Sequence, residues 1–205
     1  LALEGVVVRS RAGASLEQQF TIASDTRYAL ALDGAPAERV GTWADWRDTL
    51  VEHLPLVAAQ AVGGAQYALD ITVQYAKDRK QFGKPIGSYQ AVKHLLADAQ
   101  GAIEFARPVV HAAAAEMETG NLAARARVAH AKIAAGEAAD RAARNALQVL
   151  GAKGFTRAAG LPFFLKRAHA LNCAWGTPSV HMRTVRERIA ALPAGADALF
   201  ASETA

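Results

Sequence analysis

The sequence predicts a mainly α fold, an antiparallel four-helix-type bundle preceded by part of an antiparallel β domain. Three observations carry this. Up to about residue 40, short β-prone runs ("GVVVRS", "QQFTIAS", "RYALALDGAP") are separated by Gly, Ala-Ser and Asp-Gly-Ala-Pro turn signals. Beyond that point the β-branched runs stop, and long Ala-, Leu- and Arg-rich segments of high helix propensity take over. Within those segments apolar residues recur at three- and four-residue steps, and only short turns join them, as in a bundle. The expected organisation is therefore the end of a β domain over 1–40, a helical bundle over 41–193 and a fraying tail over 194–205.

The first helix is expected from Trp43 or Thr49 to Arg79, with Pro55 kinking or restarting it near its first turns. Pro85 and Gly87 break the pattern, and Ser88 is a natural N-cap for the second helix. Val92, Leu95, Leu96, Ala99, Ile103, Ala106 and Val110 then form its core-facing stripe, which contains Pro108. "ETGNL" at 118–122 supplies a glycine stop and an Asn cap for a third helix over about 121–150, which "GAKGF" closes. A shorter pair follows at about 161–174 and 178–191. Ala58, Ala59, Ala61, Gly63, Gly64 and Ala65 allow helices to approach closely.

Composition removes several function classes. With 205 residues, 52% hydrophobic, the chain can bury a core. No apolar run reaches the roughly 18 residues of a membrane helix. The net charge is +4, but its basic residues are spread along the chain and not clustered with aromatics, which argues against nucleic acid. Cys173 is the single cysteine, so no internal disulfide forms, and a reducing cytoplasm is expected. "LALEGVVVRS" lacks an initiator Met and a basic leader, and reads as the interior of a longer product. Of the six histidines only His94 has a carboxylate, Asp98, one helical turn away, so no metal site is expected. "GAKGF" follows a helix instead of a strand and is no phosphate loop.

Two segments carry a resemblance. "ALDITVQYAKDRKQFGKPIGSYQAVKHLLADAQ" (68–100) is similar to the signature of the acyl-CoA dehydrogenase family: a helix ending in Arg, a Gln-Phe-Gly-x-Pro-Ile turn, then a Gln near the next helix start. "ALQVLGAKGF" (146–155) resembles the family's Gln-x-x-Gly-Gly-x-Gly-Phe element, with Ala152 in place of one glycine. "YALALDGAPAERV" is similar to the end of the family's central β domain, so the likeness spans nearly the whole chain.

The resemblance implies FAD, shared across a subunit interface, and an acyl-CoA substrate at family level. It implies a homo- or hetero-oligomer, a tetramer. Arg79 would contact the FAD pyrophosphate of a neighbouring subunit, a task that suits a planar cation with paired donors. Gln81 and Phe82 would border the cofactor, and Gln148 and Gly151 would meet its adenosine end; Gln90 and Thr177 are the further cofactor-binding positions. The bland alternative is a helix corner with Arg79 paired to Asp78 or Asp98.

The catalytic positions depart from the family. Its base is a glutamate that stands in many members before Gly-Thr, where this chain reads "CAWGTPS". Trp175 therefore stands in place of the base, followed by Gly176, a substrate-binding position, and Thr177. An indole takes up no proton at neutral pH. Members that carry the glutamate on the first bundle helix match at His53, with Glu52 one residue away; Glu52 or His53 is the candidate for a replacement base, neither a clean match, and the alternative for His53 is an exposed or capping histidine. A one-residue offset turns a helical side chain by about 100°, so Glu52 serves only where Pro55 makes the helix irregular. Val51 and Leu54 stand where many members have Asp and Arg to hold substrate.

Cofactor-clamping residues are kept and base and substrate charges are lost. The expectation is a non-catalytic or degenerate subunit that completes a partner's FAD site, similar to subunits of bacterial heteromeric steroid and acyl-CoA dehydrogenases. The alternatives are a competent homotetrameric dehydrogenase with an unusual base and a flavin-free structural module.

Overall fold

The computed structural model describes residues 2–3, 6–9, 15–21, 27–31, 36, 38–117 and 122–191. Five strands come first: β1 (Ala2–Leu3), β2 (Val6–Arg9), β3 (Ser15–Gln19), β4 (Arg27–Ala31) and β5 (Glu38–Thr42). β1, β2 and β5 form one antiparallel sheet; β3 and β4 form a separate antiparallel pair with Ser15 opposite Ala31 and Gln19 opposite Arg27. The expected run at 18–24 overlaps β3 at Gln18 and Gln19, and its positions 22–24 lie outside the described residues. Register against Arg27–Ala31 requires a strand starting at Ser15, which leaves Phe20 beyond its end, 95% exposed. β5 is an additional strand that the charges of Glu38 and Arg39 and the helix-breaking Gly41 obscure.

α1 spans Trp43–Asp78. It starts at the earlier of the two expected positions because Thr42 and Asp45 form a capping box: the Thr42 N–H donates to Asp45 Oδ2 at 2.6 Å, and the Asp45 N–H to Thr42 Oγ1 at 3.4 Å. Pro55 neither restarts nor ends the helix; it is buried within a continuous 36-residue element and removes only the hydrogen bond to the Val51 carbonyl.

A hairpin of β6 (Lys80–Gln81) and β7 (Lys84–Pro85) follows, then a single 3-10 turn over Ile86–Ser88 and α2 (Gln90–Ala115). The cap of α2 is Tyr89, not Ser88. Ser88 Oγ donates to the Pro85 carbonyl at 2.7 Å, which ties it to the turn. α2 ends at Ala115, with Glu116 as its C-cap; positions 118–121 of "ETGNL" lie outside the described residues, as does the tail.

α3 (Leu122–Leu150) is the central helix, packed against α1, α2, α4 (Leu161–Cys173) and α5 (Pro178–Ala190). Its small residues Ala131, Ala135, Ala138 and Ala142 are fully buried and meet Ala58, Ala61 and Ala65 of α1 in the main core, which also takes Ala99, Ile103 and Ala106 from the α2 stripe. α1 and α3 run in the same direction, since their N-terminal thirds share a cavity and Ala68 packs with Ala146 near their far ends. α2 runs antiparallel between them. α4 packs by Leu161 near Leu150 and α5 by His181 near Arg125, so the two short helices return along α3 as an interrupted fourth column. The interruption, Ala174–Thr177, contains Trp175 at φ 59° and Gly176 at φ 114°.

Candidate functional site

The motif residues fall into two groups at opposite ends of α1. At its C-terminal end, Phe82 and Gly83 form the two-residue loop of the hairpin, both with positive φ (52° and 81°), the geometry of a type I′ turn. Asn-Gly is the usual choice there. A bulky aromatic held in the left-handed region stores about 1–2 kcal/mol, yet Phe82 is 92% exposed and gains no packing within the chain. The turn is held down on α1 by close approach: a Cβ on Gly87 would lie 3.0 Å from the Ala76 carbonyl oxygen.

Arg79 is the C-cap of α1 and its side chain is exposed. The bland pairing with Asp78 or Asp98 does not occur. Asp78 accepts from Gln74 at 3.0 Å, and Asp98 from Arg141 at 3.2 Å and Asn145 at 3.0 Å. Gln81, Phe82 and Gln148 line one shallow hollow of about 330 Å³ between the hairpin, α2 and α3. Arg79, Gln90 and Gly151 do not line it. Gly151 has φ 57° with nothing within 4 Å of a notional Cβ, so its backbone is open to approach. Gly154, in contrast, is packed, its notional Cβ 2.9 Å from Leu147 Cδ1.

At the N-terminal end the indole of Trp175 packs against Trp46 (centroids 5.8 Å apart) and His53 (6.2 Å) of α1. The two places from which a base was expected thus face each other, and aromatic rings fill the space between. His53 and Glu52 are both exposed. His53 Nδ1 donates to the Thr49 carbonyl at 2.8 Å, which fixes the tautomer with its lone pair on Nε2. Val51 and Leu54 are buried and line a cavity of about 310 Å³ between α1, α3 and α5, as do Trp46 and Trp175; Glu52 and His53 do not line it.

Beneath Trp175 lie groups that sequence reasoning missed. Lys132 of α3 is 2% exposed and donates from Nζ to the Asn172 carbonyl at 3.1 Å, satisfying an end carbonyl of α4 where the fourth column breaks. Burial lowers its pKa to about 8, with a smaller opposing effect of Cys173. His181 is 5% exposed, and a Cβ on Gly176 would come within 2.9 Å of its Nε2. Burial, then the Lys132 charge, lower its pKa, while a hydrogen bond to the Gly176 backbone opposes them. A lysine within the small apolar run "AHAKIAAGEAA" was the available signal for the first; for His181 there was none.

A family model described as "Acyl-CoA dehydrogenase, C-terminal domain" matches residues 43–190. The chain belongs to the acyl-CoA dehydrogenase family. Among relatives of this member, "Probable acyl-CoA dehydrogenase YngJ" of Bacillus subtilis is 38% identical over 133 residues, which is 65% of this chain and 35% of that protein. Among solved structures, "Crystal structure of the ChsE4-ChsE5 complex from Mycobacterium tuberculosis" matches at TM-score 0.79 and 28% identity, covering 89% of this chain and 50% of that one. "Structure of the glutaryl-coenzyme A dehydrogenase glutaryl-CoA complex" matches at TM-score 0.79 and 27% identity, covering 87% and 48%. The chain spans about a third to a half of the length of these proteins. No helix of the described residues is long and apolar enough to cross a membrane, and they contain no group of three or more metal-ligating side chains.

Proposed function

We propose that this acyl-CoA dehydrogenase family chain is a non-catalytic or degenerate subunit that completes the FAD site of a partner subunit. The observation that carries the reading is Trp175, which occupies the counted base position and packs against Trp46 and His53, while the one carboxylate among the expected bases, Glu52, is exposed and lies outside the cavity. The hairpin supports it from the other side. An uncommitted guanidinium at Arg79 fits a phosphate anion, and an open Gly151 backbone and the Gln81–Gln148 hollow fit the rest of a dinucleotide. FAD, when bound, supplies the hydride acceptor. His53 and Arg79 are separated by 26 residues of one helix, 79 minus 53, or about 39 Å. Clamp and base position in one chain therefore lie too far apart for one cofactor, and the clamp serves a flavin whose ring sits on another chain. The solved ChsE4-ChsE5 complex provides a two-subunit precedent in the family.

The reading is tested by isolating the chain in its native complex and measuring flavin per complex. Arg79→Ala is expected to lower flavin retention about tenfold, the weight of one charge-assisted contact. Stoichiometric FAD and acyl-CoA turnover in the chain purified alone would sink the proposal.

One observation favours a second reading, a competent dehydrogenase. The His53 tautomer leaves Nε2 as a proton acceptor beside Trp175. Under that reading His53→Gln abolishes turnover, whereas Glu52→Gln, on a side chain turned about 100° along the helix from the one that meets Trp175, leaves it unchanged.

A further inference from the structure

The antiparallel helices α2 and α3 leave a groove of about 350 Å³ between them. Its floor is small, made by Ala102, Ala106, Ala134 and Ala138. Phe105 stands on its α2 side, 82% exposed, with Val109 one turn further on. An ion pair joins the two helices at each end of this face: Asp98 with Arg141 at 3.2 Å, and Glu116 with Arg127. Asp98, Ala102, Phe105, Val109 and Glu116 follow one another at helical steps and so form a single line along α2.

We propose that this face binds a second copy of the chain, α2 of each copy lying antiparallel on α3 of the other, with Phe105 seated on Ala134 and Ala138. The charges select this arrangement. At both ends the acid stands on α2 and the base on α3. A two-fold axis along the helices therefore lays Asp98 over Arg141 and Glu116 over Arg127 of the other copy, and each corner becomes a ring of four alternating charges. A two-fold axis across the helices would instead set Asp98 against Glu116 and Arg141 against Arg127, which like-charge repulsion disfavours. The ion pairs also fix which residues stand level. Phe105 lies seven residues beyond Asp98, level with Ala134, seven before Arg141; it lies eleven before Glu116, level with Ala138, eleven beyond Arg127. The exposed ring thus meets the two alanines that leave room for it. Glu137 also borders the groove, and Glu104, about level with it on α2, is drawn aside by Gln100 at 2.7 Å and Arg107 at 3.4 Å. From Asp98 to Glu116 the face is about 27 Å long, and two helices make it about 20 Å wide. That is about 500 Å² per copy and about 1,000 Å² for the pair, the size at which specific interfaces begin. The face shares no residue with the hollow of Gln81, Phe82 and Gln148, so the two contacts are separate.

The test weighs the native complex by native mass spectrometry. An even number of copies of this chain per particle is expected, and Phe105→Asp is expected to halve it. A single copy per particle in wild type overturns the proposal, as does an unchanged copy number in Phe105→Asp, or a variant particle that keeps its copies and loses an unlike chain. Orientation is read by disulfide cross-linking in a Cys173→Ser background, with copies carrying Phe105→Cys co-expressed with copies carrying Ala134→Cys. A disulfide between the unlike copies is expected; none, or one only between two Phe105→Cys copies, as α2 packed on α2 would give, overturns the arrangement. Should Phe105→Asp not fold, the wild-type mass and the cross-link still decide. Flavin content of Arg79→Ala bears on the clamp alone, so the two proposals fail separately.

Discussion

Trp175 packs against Trp46 in a tilted ring contact, centroids 5.8 Å apart and planes at 38°, while its own backbone is held at φ 59°, a conformation that bulky L-residues rarely adopt. The aromatic contact, worth about 0.5–1.5 kcal/mol, works against backbone strain of about 1–2 kcal/mol. The break in the fourth helical column is thus set by backbone geometry, and the indole only partly repays it.

This opposition separates two substitutions at one position. Trp175→Ala loses the ring contact and keeps the strain, so it is expected to destabilise by about 1–2 kcal/mol. Trp175→Gly loses the ring contact but relaxes the backbone, and should be about 1 kcal/mol more stable than the alanine variant. Urea unfolding of the two variants checks the order; alanine equal to or better than glycine would mean the positive φ is not strained.

Lys132 gives a pH dependence of known sign. Its folded pKa of about 8 lies below the ordinary 10.5, so between these values the unfolded chain binds the extra proton and stability rises with pH. The rise is complete above 10.5 and absent below 8, and amounts to about 3 kcal/mol. Other groups titrate in that range, so the readout is the difference from Lys132→Met, which should lack the rise. At pH 7 the variant should lie within about 1 kcal/mol of wild type, because relief of the buried charge and loss of the bond to the Asn172 carbonyl offset each other.

His181 acts on the acid side. Its pKa is lowered from 6.5, chiefly by burial, so its neutral form belongs to the folded state. Its contribution is fully present above pH 6.5 and is lost as pH falls toward the folded pKa. Chemical unfolding at pH 7 and pH 5 should therefore show a larger acid loss in wild type than in His181→Leu.

The turn after α1 and the bundle were legible in the sequence, the turn's hairpin form was not, and the legible parts have physical reasons that Lys132 and Trp46 do not share. Arg79, Phe82 and Gly83 are exposed or conformationally special, and such positions leave a local mark in residue type. The α2 stripe through Ala99, Ile103 and Val110 is likewise a local periodicity. Lys132 becomes a buried group only because α4 ends beside α3, and Trp46 becomes a ring partner only because the column breaks at Ala174–Thr177; both depend on contacts made across 40 or more residues. Ser88 misled for a related reason: a 3-10 turn inserted between Pro85 and α2 moved the cap to Tyr89. The strand at Ser15–Gln19 could be placed only through its partner, Arg27–Ala31.

Gly87 connects packing to the proposed clamp. Its notional Cβ would lie 3.0 Å from the Ala76 carbonyl oxygen and 3.3 Å from the carbonyl carbon, both backbone atoms that cannot rotate away. Gly87→Ala must therefore lift the 3-10 turn, and with it the hairpin that carries Gln81 and Phe82, off α1. The turn lies outside the main core, so the cost to global stability is expected to stay near about 1–2 kcal/mol. Flavin retained by the native complex should fall about as far as with Arg79→Ala, because the displaced hairpin presents its side chains from the wrong height. Flavin absorbance per complex, read beside urea unfolding, gives the answer: a stable variant with full flavin content would mean that the seating of this turn has no part in holding the cofactor.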